Sequence, residues 1–66
     1  MAIITLTTGD VINVEENREG IQRLIYQANK INSIYIEVNK KITYFSGSYE
    51  YKQRYIMISS IVMWGD

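Results

Sequence analysis

Apolar and polar side chains alternate along residues 33–39, which gives the clearest pattern in the chain. Ile34, Ile36 and Val38 occupy every second position, and β-branched residues of this kind are typical of strands. The period of two predicts a strand with one buried face that carries all three side chains. We expect the remaining elements of the fold to be organised around this strand.

Two shorter segments before this strand predict an antiparallel hairpin. Residues 2–7 and 11–14 each carry apolar side chains at alternate positions, and a turn at 8–10 separates them. Gly9 lies in that turn, where a glycine can adopt the positive φ that a tight hairpin needs. Because so short a hairpin is unstable alone, it must pack on another layer.

A helical period follows the hairpin and supplies that layer. Four apolar residues lie at i, i+3, i+4 and i+7 on one stripe: Ile21, Leu24, Ile25 and Ala28. The stripe predicts that Leu24 and Ile25 are buried against the sheet, whereas Tyr26 is exposed. Asn13 or Asn17 provides the N-cap of the helix.

The second half of the chain predicts further antiparallel strands. We expect a turn at 39–41, a fourth strand at 42–45, a break at 46–48 and a fifth strand at 55–59. Residues 49–53 form either a loop or the extended tip of a long hairpin, and Ser60 a bend or bulge before the apolar run 61–64. The order ββαβββ predicts an α+β domain with one helix on a curled antiparallel sheet. A small closed β-barrel with one helix is the alternative.

Composition limits the function of this chain. Its 66 residues suffice for a single domain, residues 1–66, with a small core. Without His or Cys, it lacks the commonest general base, the strongest nucleophile and the imidazole and thiolate metal ligands. Glu37 and Glu50 could meet across strands, but a solvated sheet face is the simpler interpretation of both. We expect no enzymatic activity, no metal and no cofactor.

Charge and hydropathy indicate where the protein works. The formal net charge is zero, so no overall field favours nucleic acid or anionic membranes. No charged segment precedes the apolar residues at the N-terminus, and no apolar run approaches the roughly 20 residues of a membrane span. These features predict a cytoplasmic protein that does not associate with membranes.

The chain also has a recognisable outline. Its hairpin begins Ile-Thr-Leu-Thr-Thr-Gly-Asp at residues 4–10, a helix follows, and the chain closes with Ile-Ser-Ser-Ile-Val-Met at residues 58–63. This outline resembles small uncharacterised proteins of Gram-positive bacteria and their phages. The resemblance implies a phage or mobile-element origin, but it implies no activity and assigns no functional residue.

Aromatic and basic residues interleave between residues 40 and 55, and we predict that this segment contacts a protein partner. The candidate partner-binding residues are Tyr44, Tyr49, Tyr51, Lys52 and Arg54. Bases stack on aromatic rings while cations follow phosphates, so single-stranded nucleic acid is the alternative partner. In an extended segment, however, the rings at 49, 51 and 55 lie on the face opposite Lys52 and Arg54, which weakens this alternative.

Nearly continuous apolar runs at 55–58 and 61–64 predict self-association. One helix covers only one face of a sheet, so a closed barrel or a second chain must shield the other face. We expect a homodimer, formed by strand addition or by face packing, through Ile61, Val62, Met63 and Trp64. Simple alternation would direct Val62 and Trp64 to one face and Ile61 and Met63 to the other. The sequence thus favours a small non-enzymatic interaction or regulatory protein.

Overall fold

A computed structural model describes all residues from Met1 to Asp66 as one helix on a five-stranded sheet. The elements are β1 (Ala2–Leu6), β2 (Val11–Val14), α1 (Arg18–Lys30), β3 (Tyr35–Thr43), β4 (Tyr49–Met57) and β5 (Ile61–Gly65). A single 3₁₀ turn, Ile58–Ser60, connects β4 to β5. All neighbouring strands are antiparallel, in the order β4-β3-β2-β1-β5, and the sheet is open. The α+β prediction with ββαβββ order is therefore confirmed, and the closed barrel is excluded.

The same turn closes both hairpins, and each time a glycine makes it possible. In the β1–β2 turn, the Gly9 N–H donates to the carbonyl of Leu6 at 2.9 Å, and in the β3–β4 turn the Gly47 N–H donates to Tyr44 at 2.9 Å. The φ angles of Gly9 and Gly47 are 92° and 91°, in the left-handed region that other residues rarely adopt. The predicted turn at 8–10 is confirmed, and residues 46–48 form the second turn.

The helix begins at the second of the two predicted caps. The Asn17 side chain accepts a hydrogen bond from the Gly20 N–H at 2.7 Å, so Asn17 is the N-cap and Asn13 lies in β2. The Asp66 carboxylate accepts a hydrogen bond from the Arg18 N–H at 3.0 Å. The end of the chain thereby supplies a negative charge to the positive end of the helix dipole.

The core lies between the helix and one face of the sheet. Eight side chains are buried: Ala2, Ile4, Val14, Ile21, Ala28, Ile36, Val38 and Ile56. Of the predicted helical stripe, Ile21 and Ala28 are buried, whereas Leu24 and Ile25 are only half-buried and pack against the edge of the core. Tyr26 is exposed, as predicted.

The predicted organising strand is real, but its boundaries were wrong. Ile36 and Val38 are buried on one face, as expected, whereas Ile34 precedes the strand and is 64% exposed. No turn occurs at 39–41. β3 continues to Thr43 because β4 pairs with it at every position, from Tyr35–Met57 to Thr43–Tyr49. Of the predicted strands 42–45 and 55–59, residues 42–43 are the end of β3 and residues 55–57 the end of β4, whereas 44–45 lie in the hairpin turn and 58–59 in the 3₁₀ turn. Residues 49–53 are strand.

A bulge corrects the predicted alternation in β5. Thr5 pairs with Met63 and Leu6 with Ile61, so one extra residue, Val62, lies between two consecutive pairs. Ile61 and Trp64 consequently both pack against the core, whereas Met63 lies on the other face. The predicted grouping of Val62 with Trp64 and of Ile61 with Met63 was wrong.

Candidate functional site

The outer part of the β3–β4 hairpin pairs with no other strand of the sheet. β2 pairs with β3 at one position only, Val14–Lys40, and from there to the turn no other strand pairs with β3 or β4. We call residues 40–52 the hairpin arm. None of its side chains is buried, and Phe45 at its tip is fully exposed. The molecule is accordingly elongated, measuring 41 × 20 × 19 Å.

Asn39 lies next to the base of the arm. Beside it, the segment that follows β2 leaves the sheet to form the helix. The Glu15 N–H donates to the Asn39 carbonyl at 2.8 Å, and this is the last backbone bond between the β2 segment and β3. The Asn39 N–H then donates to both carboxylate oxygens of Glu16, each at 3.1 Å. A side chain thus replaces the next strand partner, which ends the pairing of β3 with β2 on the Val38 side of this position, away from the arm.

The strand register assigns the candidate residues of β4 to the two faces of the sheet. We call the face that packs against α1 the helix face and the opposite one the open face. Tyr49 pairs with Thr43 and Tyr51 with Lys41. All four side chains lie on the open face, and none of them is buried. Lys52 and Arg54 lie on the helix face. The predicted separation of these rings from these cations is therefore present in the structure.

The open face carries apolar and aromatic side chains that no other element of the chain covers. Seven of them are exposed: Ile3, Val11, Tyr35, Tyr49, Tyr55, Met57 and Met63. Two edge-to-face aromatic pairs organise the half formed by β3 and β4. The ring centroids of Tyr35 and Tyr55 are 5.3 Å apart, and those of Tyr49 and Tyr51 are 5.7 Å apart.

Charged side chains on the open face interact with these tyrosines. The Lys41 ammonium lies 4.5 Å from the centroid of the Tyr49 ring, a cation–π contact. Interaction of its hydroxyl with the neighbouring Glu37 carboxylate raises the pKa of Tyr55 above its ordinary value. Partial burial, followed by the proximity of Tyr49 and Glu15, raises the pKa of Tyr51. Both phenols therefore remain neutral hydrogen-bonding groups at physiological pH.

The helix face of the arm and of the β4 residues next to it is predominantly basic. Lys40 lies directly opposite Lys52, and Arg54 lies opposite Val38 on the next pair of the same face. Glu50 is the acidic residue of this face, and Lys52 lies 3.3 Å from its carboxylate. The Tyr44 hydroxyl also donates to Glu50; this hydrogen bond lowers the pKa of Glu50 and raises that of Tyr44.

Elsewhere in the fold, acidic residues are not grouped into a catalytic or metal-binding site. Glu37 and Glu50 lie on opposite faces of the sheet, so they do not meet across strands. No group of three or more acidic residues is placed to hold a metal ion. The largest surface depression, of about 440 Å³, is lined by Arg18, Gln22, Met63 and Trp64. No helix has the length and apolar character needed to cross a membrane.

The predicted self-association residues divide between two environments. Ile61 and Trp64 are half-buried against the core, whereas Val62 and Met63 are 59% and 61% exposed. Met63 lies on the open face, where Thr5 separates it from Val11. We call the exposed side chains of Ile3, Val11 and Met63 the β1 patch.

Five residues of the open face outside the arm were not among the candidate site residues, although Tyr55 and Met57 belong to the apolar run 55–58 that predicted self-association. These are Tyr35, Tyr55, Met57, Ile3 and Val11. Alternation places each of them on the face opposite a predicted core residue, and this signal was available in the sequence. It could not identify them as one surface, because that required the strand order.

The fold and these surfaces define a class: a small α+β domain with an uncovered sheet face and a projecting two-stranded arm. Comparisons with protein-family models, with curated proteins and with solved structures gave no match.

Proposed function

We propose that this chain is a non-enzymatic interaction or regulatory module that binds a protein partner through the open face of its sheet. The observation that carries the proposal is the set of exposed Tyr, Met, Ile and Val side chains on that face, which no element of the chain covers. A sheet face with this many exposed apolar and aromatic side chains is typical of binding sites, and Tyr and Met are enriched at protein interfaces. A phage or mobile-element origin rests on the sequence resemblance alone.

The placement of charge supports a protein partner over single-stranded nucleic acid. A strand-binding surface needs cations beside stacking rings, but Lys40, Lys52 and Arg54 lie on the helix face and the rings at 35, 49, 51 and 55 on the open face. Lys41 is the one cation among those rings. Burying tyrosines against a protein requires no such cations.

Two tyrosines of similar exposure provide a matched test. Tyr55 on the open face is 69% exposed, and Tyr26 on the helix is 60% exposed. In affinity capture from nuclease-treated bacterial lysate, Tyr55→Ser is expected to weaken retention of the partner by about tenfold or more, as for an interface hot spot. Tyr26→Ser is expected to retain the partner as the unmodified chain does.

The controls separate this function from its alternative. Both variants should keep the circular dichroism spectrum of the unmodified chain, since neither residue is buried. Equal capture by the two variants would remove the open face as the binding site. Tight binding of labelled single-stranded oligonucleotides that falls steeply with added salt would establish the nucleic-acid function instead.

We further propose that the chain forms a homodimer by packing the β1 patch against its copy. The patch adjoins the exposed edge of β5, where Val62 and Met63 project. The bulge at Val62 disturbs the regular edge of β5, and this favours face packing over strand addition. A two-fold axis is the commonest closed solution for such a contact.

Sedimentation equilibrium at micromolar concentration tests the dimer. The unmodified chain is expected to sediment with twice its monomer mass. Met63→Glu is expected to sediment as a monomer, because the substitution places a charge in the packed patch. Ile31→Glu is the matched control, since Ile31 is 76% exposed at the end of the helix and should leave the mass unchanged. A monomeric unmodified chain would refute the dimer.

A further inference from the structure

The outer edge of β4 has backbone hydrogen-bonding groups that no other strand of the chain uses. β4 is the terminal strand of the sheet and has β3 on one side only. The Ile58 N–H donates to Ile34 and the Tyr44 N–H donates to Ser48, so even-numbered residues of β4 exchange hydrogen bonds with β3. The odd-numbered residues therefore direct their N–H and C=O groups outward. Consistent with this, the Arg54 guanidinium reaches over the edge and donates to the Gln53 carbonyl at 2.8 Å.

The side chains beside this edge differ on its two faces. On the helix face, Lys52 and Arg54 flank Gln53, and Lys40 adds a third cation opposite Lys52. Glu50 is the one acidic residue beside these three cations on the helix face. On the open face, Tyr51 and Tyr55 flank the same position. The edge thus offers backbone partners between a basic row and an aromatic row.

We propose that this edge binds an extended acidic segment of a protein partner, which adds to β4 as an antiparallel strand. The backbone of the segment pairs with the outward groups of Tyr51, Gln53 and Tyr55, which provides affinity without sequence dependence. Its carboxylates meet Lys52 and Arg54, and its apolar side chains pack on the two tyrosines. The inference rests on the proposed function only in that the occupant belongs to a protein.

Charge argues against a second copy of the chain as the occupant. Pairing the full length of β4 symmetrically with its copy places Gln53 opposite Gln53. Lys52 of each copy then lies directly opposite Arg54 of the other, on the same face. Like charges directly opposite each other destabilise a strand pair, and charges on an edge strand commonly prevent self-pairing. An acidic strand reverses the sign of this interaction.

A synthetic peptide tests the proposal on the full chain. The probe is a labelled nine-residue peptide of alternating glutamate and valine, matched to the nine residues of β4, and binding is followed by fluorescence anisotropy. Saturable binding is expected. A peptide with lysine in place of every glutamate is expected to bind at least roughly tenfold more weakly, because the charge pairing is reversed.

Backbone methylation distinguishes strand addition from simple charge attraction. With the glutamates beside Lys52 and Arg54, an antiparallel peptide directs the N–H groups of its valines toward β4 and those of its glutamates away. Methylating the valine nitrogens should therefore abolish binding. Methylating the glutamate nitrogens leaves those hydrogen bonds intact and should preserve it. The protein is unmodified in both measurements, so its folding does not affect the comparison.

Variants of the edge provide a second, independent test. Gln53→Pro removes an outward N–H that β3 does not use, and proline is tolerated at such edge positions. It is expected to weaken peptide binding by roughly tenfold or more, whereas Gln53→Ala should bind within about twofold of the unmodified chain. The double variant Lys52→Glu, Arg54→Glu should bind the lysine peptide more tightly than the glutamate peptide.

Several results would overturn the inference. They are absence of saturable binding by the glutamate peptide, equal binding of the glutamate and lysine peptides, and undiminished binding after methylation of the valine nitrogens. The capture comparison of Tyr55→Ser with Tyr26→Ser uses no peptide. A positive capture result without peptide binding would therefore reject the edge site and leave the proposed function intact.

Discussion

Replacing Ile21 by alanine is expected to lower the free energy of unfolding by about 2–5 kcal/mol. Ile21 is fully buried and is the residue of α1 that enters the centre of the core. Truncation leaves a cavity that one helix on an open sheet cannot easily close. Since a domain has a total stability of about 5–15 kcal/mol, and one this small has little reserve, the variant should be close to unfolding. Urea denaturation followed by circular dichroism measures the change.

Two neighbouring positions serve as controls for Ile21→Ala. Leu24→Ala is expected to cost roughly half as much, because Leu24 is only half-buried at the edge of the core. Tyr26→Ala is expected to change the unfolding free energy by less than about 0.5 kcal/mol, since Tyr26 faces solvent. A larger cost at Leu24 than at Ile21 would mean that the helix buries a different face.

Ile36→Asn is expected to cost on the order of 4 kcal/mol or more, and Ile42→Asn less than about 1 kcal/mol. Both residues lie on the helix face of β3, six positions apart. Ile36 is buried opposite Ile56, so its replacement puts an unpartnered amide into the core. Ile42 lies in the hairpin arm opposite Glu50, where water can hydrate the new amide.

The contrast between these two substitutions tests whether the arm is separate from the core. Thermal unfolding monitored by circular dichroism suffices, because a difference of a few kcal/mol corresponds to more than roughly 10 °C in a domain of this size. Similar losses at both positions would show that Ile42 is buried, either in this chain or against a second copy. The arm could then not be a free interaction surface.

The sequence alone determined the local structure in the first half of the chain. The turn at Gly9 and the helix follow from short-range physics: a left-handed glycine, a side-chain cap and an apolar stripe of helical period. For the same reason, alternation correctly placed Ile36 and Val38 in the core. Each of these features depends on residues a few positions apart.

The sequence failed where long-range pairing decides the structure. Lys40 and Lys41 interrupt the apolar alternation and therefore suggested a turn, yet they lie within a continuous ladder with β4. Similarly, Val62 fits simple alternation until pairing with β1 creates a bulge. In both cases, backbone hydrogen bonds to a distant strand override the pattern of the side chains.

The candidate surfaces show the same division. Parity within 49–55 already separated the rings from the cations, because alternation in a strand is local. The strand order, however, decided that β4 is an edge, that residues 40–52 project and that Tyr35, Val11 and Met63 share one face. Strand order depends on which distant segments bury the most apolar surface together, and that is a property of the whole chain rather than of any one segment.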